Sequence, residues 1–379
     1  MTSHDVVAYL RRLLGQRKAG HCGTLDPLAT GVLAVCLGSA TAFSEHLAGM
    51  PKAYRAEAAF GFETDTLDFA GAYSLAGGAP LSVRLRREAV AAALAGFLGT
   101  QEQTPPMHSA VKIGGKRLYE YAREGAQVER RTRTVMIYGI RLVRFDDARA
   151  RALFDVRCSK GTYIRSLCRD LGAALGVPAC MSFLLRTVSS GISIGAALPL
   201  EEVERLHASG GLIGRVVAVG DALAARYAAV DVAGAQARRF CDGGAIEVAG
   251  GVDAFADAGY AGGVDAFADA ENADGAFSDA ENAGGVDAFS DAEHAGSCSG
   301  ARGAAGAADG VSEPVLLRVY CGARFIGLGC LASAPLGRLA SAPLGRASHG
   351  GAGGPGRPAP PIGYSALQPV RVFHGHDMP

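Results

Sequence analysis

Residues 20 to 31 bring together side chains that could carry out chemistry. The segment reads Gly20-His-Cys-Gly-Thr-Leu-Asp-Pro-Leu-Ala-Thr-Gly31. An aspartate can act as a nucleophile or base, and a histidine can exchange a proton near neutral pH. The glycines indicate a sharp turn or a close approach of the backbone to another group. Each feature also has an ordinary alternative: Asp26 could cap a helix with Pro27 in its first position, and His21 could be a hydrogen-bonded loop residue.

Four sequence blocks, in order, make the chain similar to a known family. The segment above resembles the motif around the catalytic aspartate of the bacterial tRNA pseudouridine-55 synthases, the TruB type. The other blocks are Lys52-Ala-Tyr54, the family's RNA-gripping segment at Pro105-Pro-Met-His-Ser-Ala-Val-Lys112 and 115–125, and Cys158-Ser-Lys-Gly-Thr-Tyr-Ile-Arg165. Together they are spread over most of residues 1–190.

The resemblance implies catalytic roles for Asp26, Tyr54 and Arg165. Asp26 would either attack the sugar or base covalently or remove a ribose proton, and the sequence leaves both routes open. Arg165 would keep this carboxylate charged in a water-poor pocket, and Tyr54 would lie against the uracil ring and help the proton leave C5. Without the neighbouring blocks, Arg165 would be a helix-surface residue and Tyr54 a strand aromatic.

The resemblance also implies a binding site for a nucleotide that has left its stack. His21, Tyr54, Tyr163 and Leu184 match positions that contact this nucleotide, although a leucine in the segment of Leu184 is usually a core residue. The implied reaction isomerises uridine to pseudouridine at position 55 in the T loop of tRNA. Because it transfers no group and changes no oxidation state, we expect no cofactor and no metal.

The formal net charge of zero conceals an uneven distribution. Lys and Arg number 37, as do Asp and Glu, but residues 249–300 hold eight Asp, three Glu and no Lys or Arg. The rest of the chain therefore has 37 basic against 26 acidic residues, a net charge of +11. Such a charge favours phosphate contacts with a nucleic acid. The candidates for these contacts are Lys18, Lys112, Lys116, Arg117, Arg123, Arg130 and Arg131.

The order of the predicted strands and helices indicates an α+β fold with a mixed, largely antiparallel sheet, because they interleave without a regular βαβ repeat. These elements must position the residues named above. The resemblance implies the pseudouridine synthase fold. Alternation from Tyr54 to Phe60 predicts a half-buried strand. Further strands are predicted at about 135–143, 153–158 and 183–189. Helices are predicted from Thr2 or Ser3 and at about 86–98, 118–123, 163–175 and 200–206.

A smaller β-rich unit is predicted after the catalytic domain, which we place at 1–230. Residues 231–379 contain short strand-like pieces at 245–248, 315–320, 325–328 and 370–373, and they resemble a PUA-like RNA-binding domain that grips the acceptor stem. Low-complexity inserts at about 249–312 and 333–361 interrupt this unit. The first insert lacks the Asp-x-Asp-x-Asp-Gly order of calcium loops, and its Ala, Gly and Asp content predicts disorder.

The remaining expectations concern the start of the chain, its compartment and its partners. Family members begin with a strand and a Lys-Pro-x-Gly turn ahead of Thr2, so we expect this first strand to be missing, through a late start or a true truncation. The absence of a signal-peptide pattern and of a long apolar run, with nine scattered cysteines, predicts a cytoplasmic protein. The expected partner is tRNA, through its T arm and acceptor stem, with no guide RNA and no membrane, and the protein is expected to be a monomer.

One alternative from another class remains. A protein of this fold could bind or refold tRNA without turning it over. The presence of Asp26, Tyr54 and Arg165 together favours the enzyme.

Overall fold

A computed structural model describes residues 1–61, 63–74, 84–232, 234–249, 315–321, 324–332 and 364–372. Its helices are α1 (Ser3–Leu13), α2 (Ser44–Ala48), α3 (Arg87–Ala95), α4 (Leu118–Arg123), α5 (Ile164–Ala174), α6 (Leu200–Ala208), α7 (Val219–Ala222) and α8 (Gly234–Cys241). Its strands are β1 (Ala19–His21), β2 (Thr30–Gly31), β3 (Val35–Leu37), β4 (Lys52–Phe60), β5 (Glu63–Thr64), β6 (Tyr73–Ser74), β7 (Gly99–Gln103), β8 (Lys112–Ile113), β9 (Lys116–Arg117), β10 (Arg133–Asp146), β11 (Arg151–Cys158), β12 (Ala179–Ser189), β13 (Ile192–Ser193), β14 (Ala228–Asp231), β15 (Ile246–Ala249), β16 (Val315–Cys321), β17 (Arg324–Ala332) and β18 (Tyr364–Val372). Short 3₁₀ segments lie at Gly38–Phe43, Ile194–Ala196 and Leu212–Arg215.

A seven-stranded sheet forms the centre of the larger part of the molecule. Its order is β13-β12-β4-β11-β10-β7, with β2 pairing on β12. The β2–β12 pair is parallel, and the other neighbouring strands are antiparallel. This arrangement confirms the predicted α+β class and the mixed, largely antiparallel sheet.

Helices α3 and α5 bury their apolar faces in the core on this sheet. Ile164, Leu167 and Leu171 of α5 recur at helical spacing and are buried together with Val90 and Leu94 of α3. Because this face is fixed in the core, the first turn of α5 has a fixed position relative to β4, which is the geometry that Arg165 needs.

The predicted helices are confirmed in position. Helix α1 begins at a capping box: the Thr2 hydroxyl accepts a hydrogen bond from the Asp5 backbone N–H at 3.2 Å, and an Asp5 carboxylate oxygen accepts from the Thr2 N–H at 2.8 Å.

None of the helices in the described ranges has both the length and the apolar character that crossing a bilayer requires.

Strand β4 is buried on both faces, so the predicted half-buried strand is wrong. Arg55 points away from the α5 core yet is only 2 % exposed. It forms a bidentate ion pair with Asp155, which lies directly opposite on β11, at 2.8 and 3.1 Å. Arg141 Nη2 donates to the same carboxylate at 3.0 Å. The polar face of the strand is thus covered because its charges pair across the sheet.

The smaller sheet has the order β14-β16-β17-β18-β15. Phe240 of α8 packs against Leu317 and Val319 of β16. Strands β15, β16 and β17 confirm the pieces predicted near 245–248, 315–320 and 325–328. The fourth piece, 370–373, matches only the end of β18, and residue 373 lies outside the described residues. No pattern predicted β14 or α8. The inserts predicted to be disordered lie outside the described residues, apart from Ala249 at the end of β15.

We expect Asp155→Ala to lower the free energy of unfolding by about 3–5 kcal/mol, because it leaves the guanidinium of Arg55 buried without this carboxylate. Urea denaturation followed by circular dichroism measures the change. The matched control is Asp146→Ala, which removes a surface ion pair with Arg149 and should cost at most about 1 kcal/mol. Equal losses in the two variants would contradict the assignment.

Candidate active site

Asp26 lies in a turn and not at the start of a helix. The backbone N–H of Ala29 donates to the carbonyl oxygen of Asp26 at 2.9 Å, and the chain then enters β2. Thr30 and Gly31 pair with Leu185 and Arg186 of β12. The helix-cap alternative is therefore wrong, because pairing with the sheet forces the chain back to an extended conformation within four residues.

Gly31 allows this turn to lie directly against the sheet. Its φ is +98°, and a Cβ atom at this position would lie 2.3 Å from the carbonyl oxygen of Arg186. No other residue fits both the backbone conformation and the close approach. The close backbone contact predicted from the glycines is confirmed here.

Arg186 holds the turn from within the core. Its side chain is 1 % exposed, and burial lowers its pKa. Nε donates to the carbonyl of Val32 at 2.7 Å, Nη2 to that of Gly23 at 3.1 Å and Nη1 to that of Thr24 at 3.3 Å. These acceptors flank Asp26 on both sides, so one guanidinium fixes both ends of the turn. No motif in the sequence marked Arg186 for this role.

Arg165 and Asp26 form a bidentate ion pair. Arg165 Nε donates to Oδ2 of Asp26 at 2.9 Å and Nη2 donates to Oδ1 at 3.1 Å. Arg165 is 5 % exposed, and its other hydrogen bonds reach the carbonyl oxygens of Thr66 and His108, both at 3.0 Å. The Asp26 side chain is 31 % exposed. The pair therefore fixes the plane of a carboxylate that a substrate can still reach.

Asp68 is a second carboxylate beside Arg165. Its Oδ2 lies 3.7 Å from Arg165 Nε, and its side chain is 6 % exposed. Its Oδ1 accepts hydrogen bonds from the Thr66 hydroxyl at 2.6 Å and the Ala70 N–H at 3.0 Å. The guanidinium thus lies between two carboxylates, of which only Asp26 is substantially exposed. No motif or spacing in the sequence indicated Asp68.

Tyr54 lies on β4 directly opposite Arg186 of β12. It is 9 % exposed, and this burial raises the pKa of its phenol well above the ordinary value, with the charge of Arg186 acting in the opposite direction. Tyr54 is therefore a neutral phenol at neutral pH.

A cavity of about 100 Å³ joins four of the predicted residues. Asp26, Tyr54, Tyr163 and Leu184 line it, together with Arg186. Tyr163 is held at the start of α5 by Gln103, whose amide oxygen accepts from the Tyr163 N–H at 2.8 Å and whose amide nitrogen donates to the Tyr163 carbonyl at 3.0 Å. Gln103, too, had no signal in the sequence.

His21 does not line this cavity. It is the last residue of β1, and its Nδ1 accepts a hydrogen bond from the Gly23 N–H at 3.4 Å. This bond agrees with the alternative interpretation of His21 as a hydrogen-bonded loop residue. Burial, followed by the charges of Arg186 and His4, lowers its pKa. Its contact with the nucleotide remains a prediction.

Part of the predicted basic surface surrounds a second cavity, of about 550 Å³. Lys112, Arg130 and Arg131 line it, together with Arg133, whose guanidinium lies 5.5 Å from the ring centre of Tyr163. Arg133 therefore links this basic cavity with Tyr163 of the cavity at Asp26. Within the described ranges, no three His, Cys, Asp or Glu side chains gather where they could share a metal ion.

Comparisons with known proteins identify the class. Residues 11–164 match the family described as TruB family pseudouridylate synthase (N terminal domain). The chain is 48 % identical over 207 residues to tRNA pseudouridine synthase B of Alkaliphilus oremlandii (strain OhILAs), covering 55 % of this chain and 67 % of that protein. The protein of the same name from Geobacillus kaustophilus (strain HTA426) is 47 % identical over 214 residues, 55 % of this chain and 74 % of its own length. The chain belongs to the TruB family.

A solved structure supports the fold. It is described as "Structure of H/ACA RNP bound to a substrate RNA containing 2'-deoxyuridine", and it matches with a TM-score of 0.58 at 19 % identity, covering all of this chain and 84 % of that one. At this identity the likeness establishes the pseudouridine synthase fold alone.

We expect Tyr54 to ionise well above the ordinary tyrosine pKa of about 10. Titration of phenolate absorbance measures this pKa, because the difference between the unmutated protein and the Tyr54→Phe variant is the contribution of Tyr54. Because the folded pKa is raised, the contribution of Tyr54 to stability is complete below about pH 10 and is lost as the pH rises further. The control is Tyr138→Phe, which removes a 45 % exposed tyrosine. A titration above pH 10 that Tyr54→Phe leaves unchanged would contradict the burial argument.

Proposed function

We propose that this chain isomerises uridine 55 in the T loop of tRNA to pseudouridine. The observation that carries the proposal is the bidentate Arg165–Asp26 ion pair beside the cavity lined by Tyr54, Tyr163 and Leu184. Membership of the TruB family supports the reaction, since the compared relatives carry the name tRNA pseudouridine synthase B.

The reaction is an isomerisation. The bond from C1′ of the ribose to N1 breaks, a bond from C1′ to C5 forms, the proton on C5 leaves, and N1 gains a proton. The atoms and the oxidation state of the nucleoside are unchanged. The protein must therefore supply a charged group beside the sugar and base, and a place to which the uridine can leave its stack.

Asp26 is the group that we propose reacts. Its carboxylate either attacks the nucleoside or removes a ribose proton, and both routes use the oxygen atoms that Arg165 aligns. When the charge of Asp26 changes during either route, Asp68 still provides a negative charge for the buried guanidinium. Arg165 would therefore keep its position through the reaction.

The cavity walls suit a uracil ring. Tyr54 provides a neutral phenol close to the ring. Its oxygen can assist departure of the C5 proton only after the phenol has passed its own proton to another group. Tyr163 provides an aromatic face and Leu184 an apolar surface. His21 would contact the nucleotide from the adjoining loop.

The RNA contacts extend beyond the cavity. We propose that Lys18, Lys112, Lys116, Arg117, Arg123, Arg130 and Arg131 contact phosphates of the T arm, because several of them lie on the basic surface beside Tyr163. We further propose a catalytic domain at 1–230 and a PUA-like domain at 231–379 that contacts the acceptor stem. The five-stranded sheet with α8 supports this second domain, and its edge strand β14 begins at Ala228, just ahead of the proposed boundary. The protein would act as a cytoplasmic monomer without a guide RNA.

Asp26→Asn should retain RNA binding and lower product formation at least about 10³-fold, because the amide cannot act as a nucleophile or base. The assay incubates an unmodified T-arm stem-loop with the protein and maps pseudouridine. The matched control, Asp147→Asn, changes an exposed aspartate and should leave the rate unchanged.

Two outcomes would contradict the proposal. Binding by the unmutated protein with no product would favour the non-catalytic RNA-binding alternative. Product from Asp26→Asn at the unmutated rate would remove Asp26 from the chemistry.

Asp68→Asn should lower kcat by about 10- to 100-fold with little change in KM, since it weakens a charged interaction that holds Arg165 and touches no substrate. Single-turnover rates on the same stem-loop measure kcat separately from binding. Asp65→Asn is the matched control, because Asp65 lies in the same loop, is exposed and can still accept the Ala72 N–H bond as an amide. A change in KM alone would assign Asp68 to RNA binding.

A further inference from the structure

Two cysteines lie side by side next to the Asp26 turn, and the chemistry above uses neither. The sulfur atoms of Cys22 and Cys36 are 3.3 Å apart. Strands β1 and β3 bring them together: Gly20 lies opposite Cys36, and the Cys22 N–H donates to the carbonyl of Ala34 at 2.9 Å. The two cysteines are therefore diagonal neighbours across the β1–β3 pair, and this pairing brings their sulfur atoms together.

The pair borders a cavity although each cysteine is buried. Cys22 is 1 % exposed and Cys36 is 6 % exposed. Both line an apolar cavity of about 560 Å³, and the same cavity is lined by Val216 and Val217, which are 52 % and 46 % exposed. The cavity therefore extends from these exposed residues to the two cysteines, and we infer that a small molecule can approach the pair through it.

The local charges favour Cys22 as the attacking sulfur. The hydrogen bond from Cys36 lowers the pKa of the Cys22 thiol, and the positive charges of Lys52 and Arg186 act in the same direction. The same hydrogen bond raises the pKa of Cys36, which is therefore the thiol that keeps its proton. A lowered pKa increases the thiolate fraction, which is the reactive form.

A bond between the two sulfur atoms would act on the catalytic turn. A disulfide requires about 2.05 Å between sulfur atoms, so the two side chains must turn toward each other to close the 3.3 Å gap, and the bond would then tie β1 to β3. Strand β1 leads directly into Gly23 and Thr24, whose carbonyl oxygens accept hydrogen bonds from Arg186. Movement of Cys22 therefore changes the hydrogen bonds that position Asp26.

We propose that Cys22 and Cys36 form a reversible thiol oxidation site that reacts with hydrogen peroxide and switches off the isomerase activity. The Cys22 sulfur attacks a peroxide oxygen, the O–O bond breaks, and a sulfenic acid and one water form. The Cys36 sulfur then attacks the Cys22 sulfur, the S–O bond breaks, and a second water leaves. Two electrons pass from the sulfur atoms to the peroxide, and a dithiol reductant returns them.

The test uses the full chain and hydrogen peroxide. The protein is reduced, freed of reductant, treated with peroxide and divided between peptide mass mapping and the T-arm assay. We expect a 22–36 linked peptide, at least a tenfold loss of rate, and recovery of the rate with dithiothreitol. The linkage and the recovery are both measured on the unmutated protein, so neither depends on whether a variant folds.

Single cysteine variants then test which thiols cause the loss of rate in peroxide. Cys22→Ser and Cys36→Ser should each keep their rate in peroxide, while the control, Cys241→Ser, should lose it as the unmutated protein does. A missing 22–36 link, a link without loss of rate, or a loss in either single variant overturns the proposal.

The activity readout rests on the function proposed above, and its failure is distinguishable. Reduced protein that makes no pseudouridine contradicts that function, whereas the mass of the linked peptide still reports on the cysteine pair. Reduced protein that is active, but forms no link, contradicts the oxidation site alone.

Discussion

A guanidinium in the core has lost its hydration, so it requires acceptors from the protein. Arg186 obtains them from the main-chain carbonyl groups of Gly23, Thr24 and Val32. These residues lie on either side of Asp26, and the turn between them has little regular structure of its own. The desolvated charge and the irregular turn therefore stabilise each other. The position of Asp26, and with it the geometry of the site, depends on these hydrogen bonds.

Three buried arginines in this part of the chain show how partner type decides what a charge does. Arg55 has a carboxylate partner that is itself buried, so the pair fastens two strands. Arg186 has carbonyl partners and fixes a turn. Arg165 has two carbonyl acceptors and two carboxylates, and one of these carboxylates is 31 % exposed. Only the third arrangement presents a preorganised charge to a ligand, which is what electrostatic catalysis requires.

Much of the framework was predictable because it follows from local patterns. The spacing of Ile164, Leu167 and Leu171 marks α5, and the alternation after Lys52 marks β4. The resemblance indicated Asp26, Tyr54, Tyr163, Leu184, Arg165 and His21. Four of these line one cavity and Arg165 pairs with Asp26, whereas His21 does not line the cavity.

What sequence could not predict depends on contacts between distant residues. The turn at Asp26 and Pro27 has the local signature of a helix start, but pairing of β2 with β12 decides its conformation. Asp68 and Arg186 acquire their roles from partners far away in the chain. Burial of Arg55 likewise requires Asp155 on another strand, so an alternating pattern alone suggested an open face.

The two sheets differ in when their strands become available during synthesis. The large sheet is complete once β13 ends at Ser193, whereas β14 must pair with β16, and Val230 meets Val319 only across a long stretch of chain. Closing that loop costs entropy and slows pairing. Because Leu328 of β17 packs with Phe43 and Leu47, the small sheet can then dock on a surface that has already formed. A nascent chain on the ribosome can thus complete the sheet that carries Tyr54 before β16, β17 and β18 of the small sheet have been translated.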